Sequence, residues 1–269
     1  MRIRAGFTIS YDCPVDTPLF LMLSVHPSRR EDIETPEFIS TDPHVEVRQY
    51  LDGFGNIVSR ITAPAGVTTL HSEFIVRDSG EPDIQAPDAI QHPIEDLPDE
   101  AIVFLLGSRY CETDKMSQMA WNMFGHIEPG WARVQAIIDY VHKHIRFDYQ
   151  SARPTKGALE VHEEAVGVCR DFAHLSVTLC RCMNIPARYC MGYLPDIGVP
   201  PVKPMDFHAW FEVYLGGRWY AFDARNHRPR IGRLMIAYGR DAGDVPLTHI
   251  FGNAWLARFD VVAEEVVEG

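Results

Sequence analysis

The sequence predicts an α+β protein: a β-rich first third, a group of helices, then a return to strands. Three observations carry this reading. Up to about residue 80, apolar and polar side chains alternate or form short buried-type runs, as strands do. From 114 to 184, apolar side chains recur three and four apart, the helical period. From 187 on, strand-like runs are broken at Gly216-Gly217. Helices segregated from strands, rather than alternating with them, are the α+β pattern.

Each element follows from its own stretch. "IRAGFTISY" alternates, "PLFLMLSV" reads as a buried strand, and "HVEVRQYLDGFGNIVSRITAP" reads as two strands around a turn. Its centre, "DGFGN", supplies residues tolerant of positive φ. "TTLHSEFIVRDSG" is a further strand. The proline- and acid-rich "GEPDIQAPDAIQHPIEDLP" that follows is a surface crossover or linker. We place a domain boundary there: a β-rich N-terminal domain over 1–95 and a second domain over 96–269. "DKMSQMAWNMFGHI" and "GWARVQAIIDYVHKHIRF" are helical, and Val134, Ile137, Ile138, Val141 and Ile145 mark one face of the second. "DYQSARPTKGALEVHEEAVG" is a loop with a short helical piece. "CRDFAHLSVTLCRCMN" is the third helix, stopped at Asn184-Ile185-Pro186. "ARYCMGYL", "FHAWFEVYL" and "RWYAFDA" are strands, and "ARFDVVAEEVVEG" is a last strand with a frayed acidic end.

Composition narrows the function classes. The 269 residues are 46% hydrophobic and 23% charged, an ordinary globular mixture that can bury a core without disulfides. A net charge of -12 argues against nucleic acid as a partner, because phosphate binding needs a basic face. No apolar run is long enough to span a membrane, and "MRIRAGFTISYDCP" has no signal-peptide pattern. We therefore expect a cytoplasmic protein whose six cysteines are reduced. Their spacing fits no zinc pattern, so neither a metal nor a cofactor is expected.

One thiol has neighbours arranged for chemistry. In "GVCRDFAH", Cys169 opens a helix, where unpaired N–H groups and the dipole favour thiolate over thiol. Arg170 adds positive potential, partly offset by Asp171. Gly167 allows a close approach to the helix or a positive φ. The first-turn N–H groups are also placed to hold an oxyanion. The plain alternative is a packed, inert thiol, which suits Cys180 and Cys190. Cys182 sits near the helix C-terminus, where the dipole disfavours a thiolate, and Cys13 and Cys111 have no helix-start context.

The downstream hairpin supplies partners. With a two-residue turn at Gly216-Gly217, Leu215 faces Arg218, and counting back sets Trp210 against Asp223 and His208 against Arg225. His208 and Asp223 then share a face as diagonal neighbours, with Cα atoms on the order of 7 Å apart. An odd-numbered loop would separate them. On one face, Asp223 would orient the His208 imidazole, and His208 would take the Cys169 proton to give a thiolate–imidazolium pair.

These residues resemble the core of the transglutaminase-like superfamily. The matching pieces are Gly-x-Cys-x-x-Phe at the helix start, Ile-Pro-Ala-Arg after the helix, His-Ala-Trp on one strand and Trp-Tyr-x-Phe-Asp on the next. The resemblance spans about residues 105 to 240. It implies a papain-like fold, helices packed on an antiparallel sheet, with Cys169 as nucleophile, His208 as base and Asp223 as acid. The β-rich N-terminal part resembles that of bacterial members. Animal transglutaminases carry tryptophan directly after the cysteine. Arg170 here, with no calcium loop and no additional C-terminal β domains, points to the bacterial or archaeal cysteine-protease-like branch and again to no metal.

Tyr149, Arg170 and Trp210 are candidates for the substrate cleft or for an oxyanion donor. Arg188 and Arg225 are expected as structural ion-pair partners. His174, on another side of its helix from Cys169, is not assigned to catalysis. The implied activity is thiol acyl transfer at an amide of a peptide or protein, hydrolysis favoured. A non-catalytic binding module and a transamidating cross-linker are the alternatives. An N-glycan amidase ranks below them, because the CxxC context of that family is absent. Neither nucleic acid nor membrane is an expected partner, and the sequence leaves the oligomeric state open.

Overall fold

A computed structural model describes residues 1–267. The first 77 residues form six strands: β1 (Arg2–Cys13), β2 (Thr17–Leu21), β3 (Ser40–Asp42), β4 (Arg48–Leu51), β5 (Ile57–Ala63) and β6 (Gly66–Arg77). Helices follow: α1 (Asp99–Ile102), α2 (Thr113–Phe124) and α3 (Trp131–His144). A short parallel pair, β7 (Arg146–Phe147) and β8 (Val166–Gly167), flanks α4 (Ala158–Glu164) and leads into α5 (Cys169–Cys182). Strands β9 (Ala187–Tyr193), β10 (His208–Leu215), β11 (Arg218–Phe222), β12 (Leu234–Gly239), β13 (Thr248–Ile250) and β14 (Trp255–Glu265) complete the described chain. The α+β class and the helices-on-sheet core are as the sequence predicts.

Three four-stranded sheets result, ordered β14-β1-β6-β3, β13-β2-β5-β4 and β11-β10-β9-β12. β1 lies central in its sheet, with Ile3, Ala5, Phe7 and Ile9 buried at alternate positions. Gly6 in this strand has a packing cause. A Cβ there would meet the Ser72 carbonyl oxygen at 2.4 Å. Antiparallel pairing brings β14 onto β1 and β13 onto β2. Residues 248–265 thus join the N-terminal sheets in space, although they lie far along the second part of the sequence. Backbone pairing over a long separation leaves no local pattern to read. Glu268 and Gly269, the tip of the expected acidic end, lie outside the described residues.

The crossover after β6 is tied down. Pro82 bridges Ile231, Trp131 N donates to Ala89 O over 3.1 Å, and Gly216 N donates to Ile90 O over 2.9 Å. On α3, Val134, Ile137, Ile138 and Val141 are all buried, the face its periodicity marks. Each such side chain contributes about 1.5–3 kcal/mol on burial.

α5 is the central helix. Every residue from Asp171 to Cys182 is buried, and it packs on β9 and β10. Two of its hydroxyls are satisfied locally: Ser176 Oγ donates to Phe172 O over 2.8 Å and Thr178 Oγ1 to His174 O over 2.7 Å. Arg181 donates to Ala187 O over 2.9 Å. Asn184, at φ 61, ends the helix before Ile185-Pro186. One buried cluster joins the N-terminal sheets to β9, β10 and β12, with Phe74 set edge-on to Tyr193. A second joins the helices to the same sheet.

Candidate active site

Cys169 is the first residue of α5 and is half-buried. Asp171, at the third helical position, bends back so that Val168 N donates to its Oδ2 over 3.0 Å. This contact explains Gly167: a Cβ there would lie 2.7 Å from the Asp171 Cβ. Close approach, one of the two roles open to this glycine, is the one it fills.

His208 opens β10 and is buried. Gly216 (φ 55) and Gly217 (φ 86) form the two-residue turn. It sets Leu215 against Arg218 and Phe211 against Phe222, the register counted from the sequence. One step further, His208 Nε2 donates to Asp223 Oδ2 over 2.8 Å. The carboxylate can only accept there, which assigns the imidazole proton to Nε2 and leaves Nδ1 with its lone pair.

Asp223 gathers further donors. Asn226 N reaches Oδ1 over 3.0 Å, Asn226 Nδ2 reaches Oδ2 over 2.8 Å, and Arg233 Nη2 reaches Oδ2 over 3.1 Å. Arg233 is buried and also clasps Asp83, its Nε lying 2.8 and 2.9 Å from the two oxygens. Burial pushes the Asp223 carboxyl up, but His208, Arg233 and these hydrogen bonds more than offset it, and it falls well below the carboxylate range.

Burial lowers the His208 imidazole, Asp223 raises it, Arg233 and Arg225 lower it, and the net shift is down. Burial pushes the Cys169 thiol up. The Ala209 backbone and Arg225 pull it back, while Asp206 and Asp223 add to the rise. These directions work against the expected thiolate–imidazolium pair, because desolvation penalises each charge. Arg170 does not counter this. Its guanidinium is engaged with Asp171 Oδ1 (2.9 Å) and Arg153 O (2.7 Å).

Cys169, His208 and Tyr149 line one cleft of about 260 Å³, together with Arg225 and Asp206. The β9–β10 connection overhangs it with Val199, Pro200 and Met205. Tyr149 is 47% exposed. Arg170 and Trp210 are not among the residues lining the cleft. Trp210 is 2% exposed, with Arg233 over its ring at 5.2 Å. His174 lies buried away from the cleft, stacked on Tyr110 and accepting from Ala242 N over 3.1 Å. Arg188 does pair as expected, its Nε 2.7 Å from Glu212 Oε2. Arg225 does not. It lies over the Phe147 ring at 4.0 Å and meets His208 Nδ1.

Sequence reasoning missed Asn226, Arg233 and Asp83. Asn226 follows Asp223 closely enough for a local turn bond to be suspected. Arg233 and Asp83 are 150 residues apart, with nothing local to link them. Among the described residues, no group of three or more His, Cys, Asp or Glu could hold a metal ion. No helix among them is long and apolar enough to cross a membrane.

Comparison with known proteins identifies relatives of the chain. The model of the transglutaminase-like superfamily matches residues 117–224, from α2 to just past Asp223. A solved structure described as a "putative cysteine protease" from Cytophaga hutchinsonii is 31% identical, with a TM-score of 0.85. That match covers 98% of this chain and 90% of the other. An uncharacterised protein of Mycobacterium leprae is 36% identical over 111 residues. This second match spans only 39% of each chain. Full-length similarity to the Cytophaga protein and the superfamily match over the helix and hairpin lead to one conclusion: the chain belongs to the transglutaminase-like superfamily.

Proposed function

We propose that the protein is a cysteine-dependent acyl-transfer enzyme with a Cys169-His208-Asp223 triad, hydrolysing an amide bond in a peptide or protein. One observation carries this reading. The His208 imidazole lines the same cleft as Cys169 while its far nitrogen is held 2.8 Å from Asp223. The description of the similar Cytophaga protein as a putative cysteine protease supports it.

Cys169 Sγ attacks the amide carbonyl carbon as its proton passes to His208 Nδ1. With burial disfavouring charge on either group, this transfer accompanies the attack. The N–H groups at the start of α5, on Cys169 and Arg170, receive the oxyanion, while Asp171 N donates to Val168 O over 2.8 Å. The C–N bond then breaks, His208 returns the proton to the leaving amine, and a thioester remains on Cys169. Water, deprotonated by His208, hydrolyses it. Asp223 holds the imidazole in the required tautomer and stabilises its charged form. We favour water over an amine as acceptor because Arg170, where animal transglutaminases carry tryptophan, marks a resemblance to the protease-like branch. We place the enzyme in the cytoplasm, with reduced thiols.

The test is to incubate the protein with a peptide-amide library and seek the acyl adduct by mass spectrometry. A thioester mapped to Cys169, absent in Cys169→Ala, is expected. Turnover that survives Cys169→Ala contradicts the proposal.

A further inference from the structure

Arg225 stands out because, among the described residues, it forms no ion pair with a carboxylate. It lies half-buried in the cleft, its Nη1 3.3 Å from His208 Nδ1, and it also contacts the Tyr149 hydroxyl. Arg230 and Arg233, which flank the site, each meet a carboxylate: Asp196 at 3.0 Å and Asp83 at 2.8 Å. Among the described residues, Arg225 forms no such ion pair, nor does the exposed Arg228 on the same cleft. Asp206 is the remaining acid facing this space. Burial pushes its carboxyl up and the Phe207 backbone, His208 and Arg225 draw it down, but among the described residues it forms no ion pair with Arg225. A cation held in a partly dry cleft is costly until an anion pairs with it.

The position of Arg225 matters more than its charge. His208 Nδ1 is the lone-pair nitrogen, the one that must receive the Cys169 proton. A guanidinium N–H directed at that lone pair occupies the base. We propose that the cleft takes substrates carrying a carboxylate beside the scissile amide, and that this carboxylate draws Arg225 off His208 Nδ1. A bidentate Arg–carboxylate pair is stronger than a hydrogen bond to neutral imidazole, so the exchange runs downhill. A neutral substrate must displace Arg225 without that compensation and reacts more slowly. Discrimination then operates on the chemical step as well as on binding. This inference rests on the Cys169–His208 chemistry proposed above.

Iodoacetate and iodoacetamide test it, because they differ only in the carboxylate. The probe is the ratio of their alkylation rates at Cys169, referred to the same ratio for glutathione. In the native protein the ratio should exceed that of glutathione by on the order of tenfold. Arg225→Met should return it to the glutathione value, and Arg225→Lys, which keeps the charge, should retain most of the preference. A native ratio equal to that of glutathione, or one unchanged in Arg225→Met, overturns the inference alone. A Cys169 inert to both reagents overturns the acyl-transfer reading and this inference with it.

The carboxylate could belong to a side chain or to a chain terminus. Protection of Cys169 from iodoacetamide by short peptides separates the two. Better protection by an amidated Glu peptide than by its Gln counterpart assigns a side chain. Better protection by the free-acid Gln peptide than by its amide assigns a terminus. Equal protection by all of them contradicts the proposal.

Discussion

Arg233 joins Asp223 to Asp83, donating to the proposed triad acid over 3.1 Å and to the crossover carboxylate over 2.8 Å. Asp83 belongs to the segment that leads from the N-terminal sheets to the helices. Its backbone and side chain are fixed in turn: Asp83 N donates to Arg230 O and Arg230 N to Asp83 Oδ2, each over 2.8 Å. The proposed acid is therefore held by a strap from outside the helix-and-hairpin core.

Removing that arginine should cost both stability and chemistry. Arg233→Met takes the guanidinium from buried Asp223 and half-buried Asp83, and a loss of about 3–5 kcal/mol is expected in denaturant unfolding. Because Arg233 lowers both Asp223 and His208, its removal raises both. The acid limb of Cys169 acylation should move to higher pH. Arg233→Lys, with charge but no fork, should fall between. An unchanged pH profile in a folded Arg233→Met protein would show that the arginine only braces the fold.

His174 predicts a pH dependence of stability. Burial, followed by Arg170 and Arg181, holds its imidazole well below the ordinary value. A histidine depressed in the folded state adds stability that is complete above its unfolded value, about 6.5, and is lost as pH falls toward the folded value. His208 acts in the same direction. Melting temperature should therefore drop from pH 6.5 downward. His174→Gln keeps an acceptor for Ala242 N and removes up to about 1.4 kcal/mol per pH unit of that slope. An identical slope in the variant would refute this assignment.

Gly167→Ala tests how tightly Cys169 is set. The added methyl would collide with Asp171, whose carboxylate holds Val168 N. The start of α5 must shift, at about 1–3 kcal/mol. Acylation of Cys169 should fall more than stability does, since a displacement near 1 Å is enough to cost on the order of 100-fold in rate. Full activity with native stability would mean that the helix start has slack.

Much of this was legible in local patterns. The buried face of α3, the start of α5 at Cys169 and the 208–223 register follow from periods of 3.6 and 2 and from a turn whose two glycines permit one geometry. The rest depends on contacts across long separations. The return of β14 to β1, the Asp83–Arg233 pair and the burial that disfavours charge on Cys169 and His208 have no periodic trace. Trp210 shares the His208 face, but that face is covered at Trp210 and open only near the end of β10. Parity alone does not distinguish the two positions. Arg170 reads as a charge beside the thiol, yet Asp171 and the Arg153 carbonyl draw it aside.

The central claim is that His208, held by Asp223, activates Cys169 for acyl transfer. The most direct measurement is the rapid-mixing burst of p-nitrophenol from p-nitrophenyl acetate, compared between the native protein, Cys169→Ala and His208→Ala. The account predicts one equivalent of acyl group on Cys169, no burst in Cys169→Ala, and a rate at least about 100-fold lower in His208→Ala. Equal burst rates in the native protein and His208→Ala would contradict it.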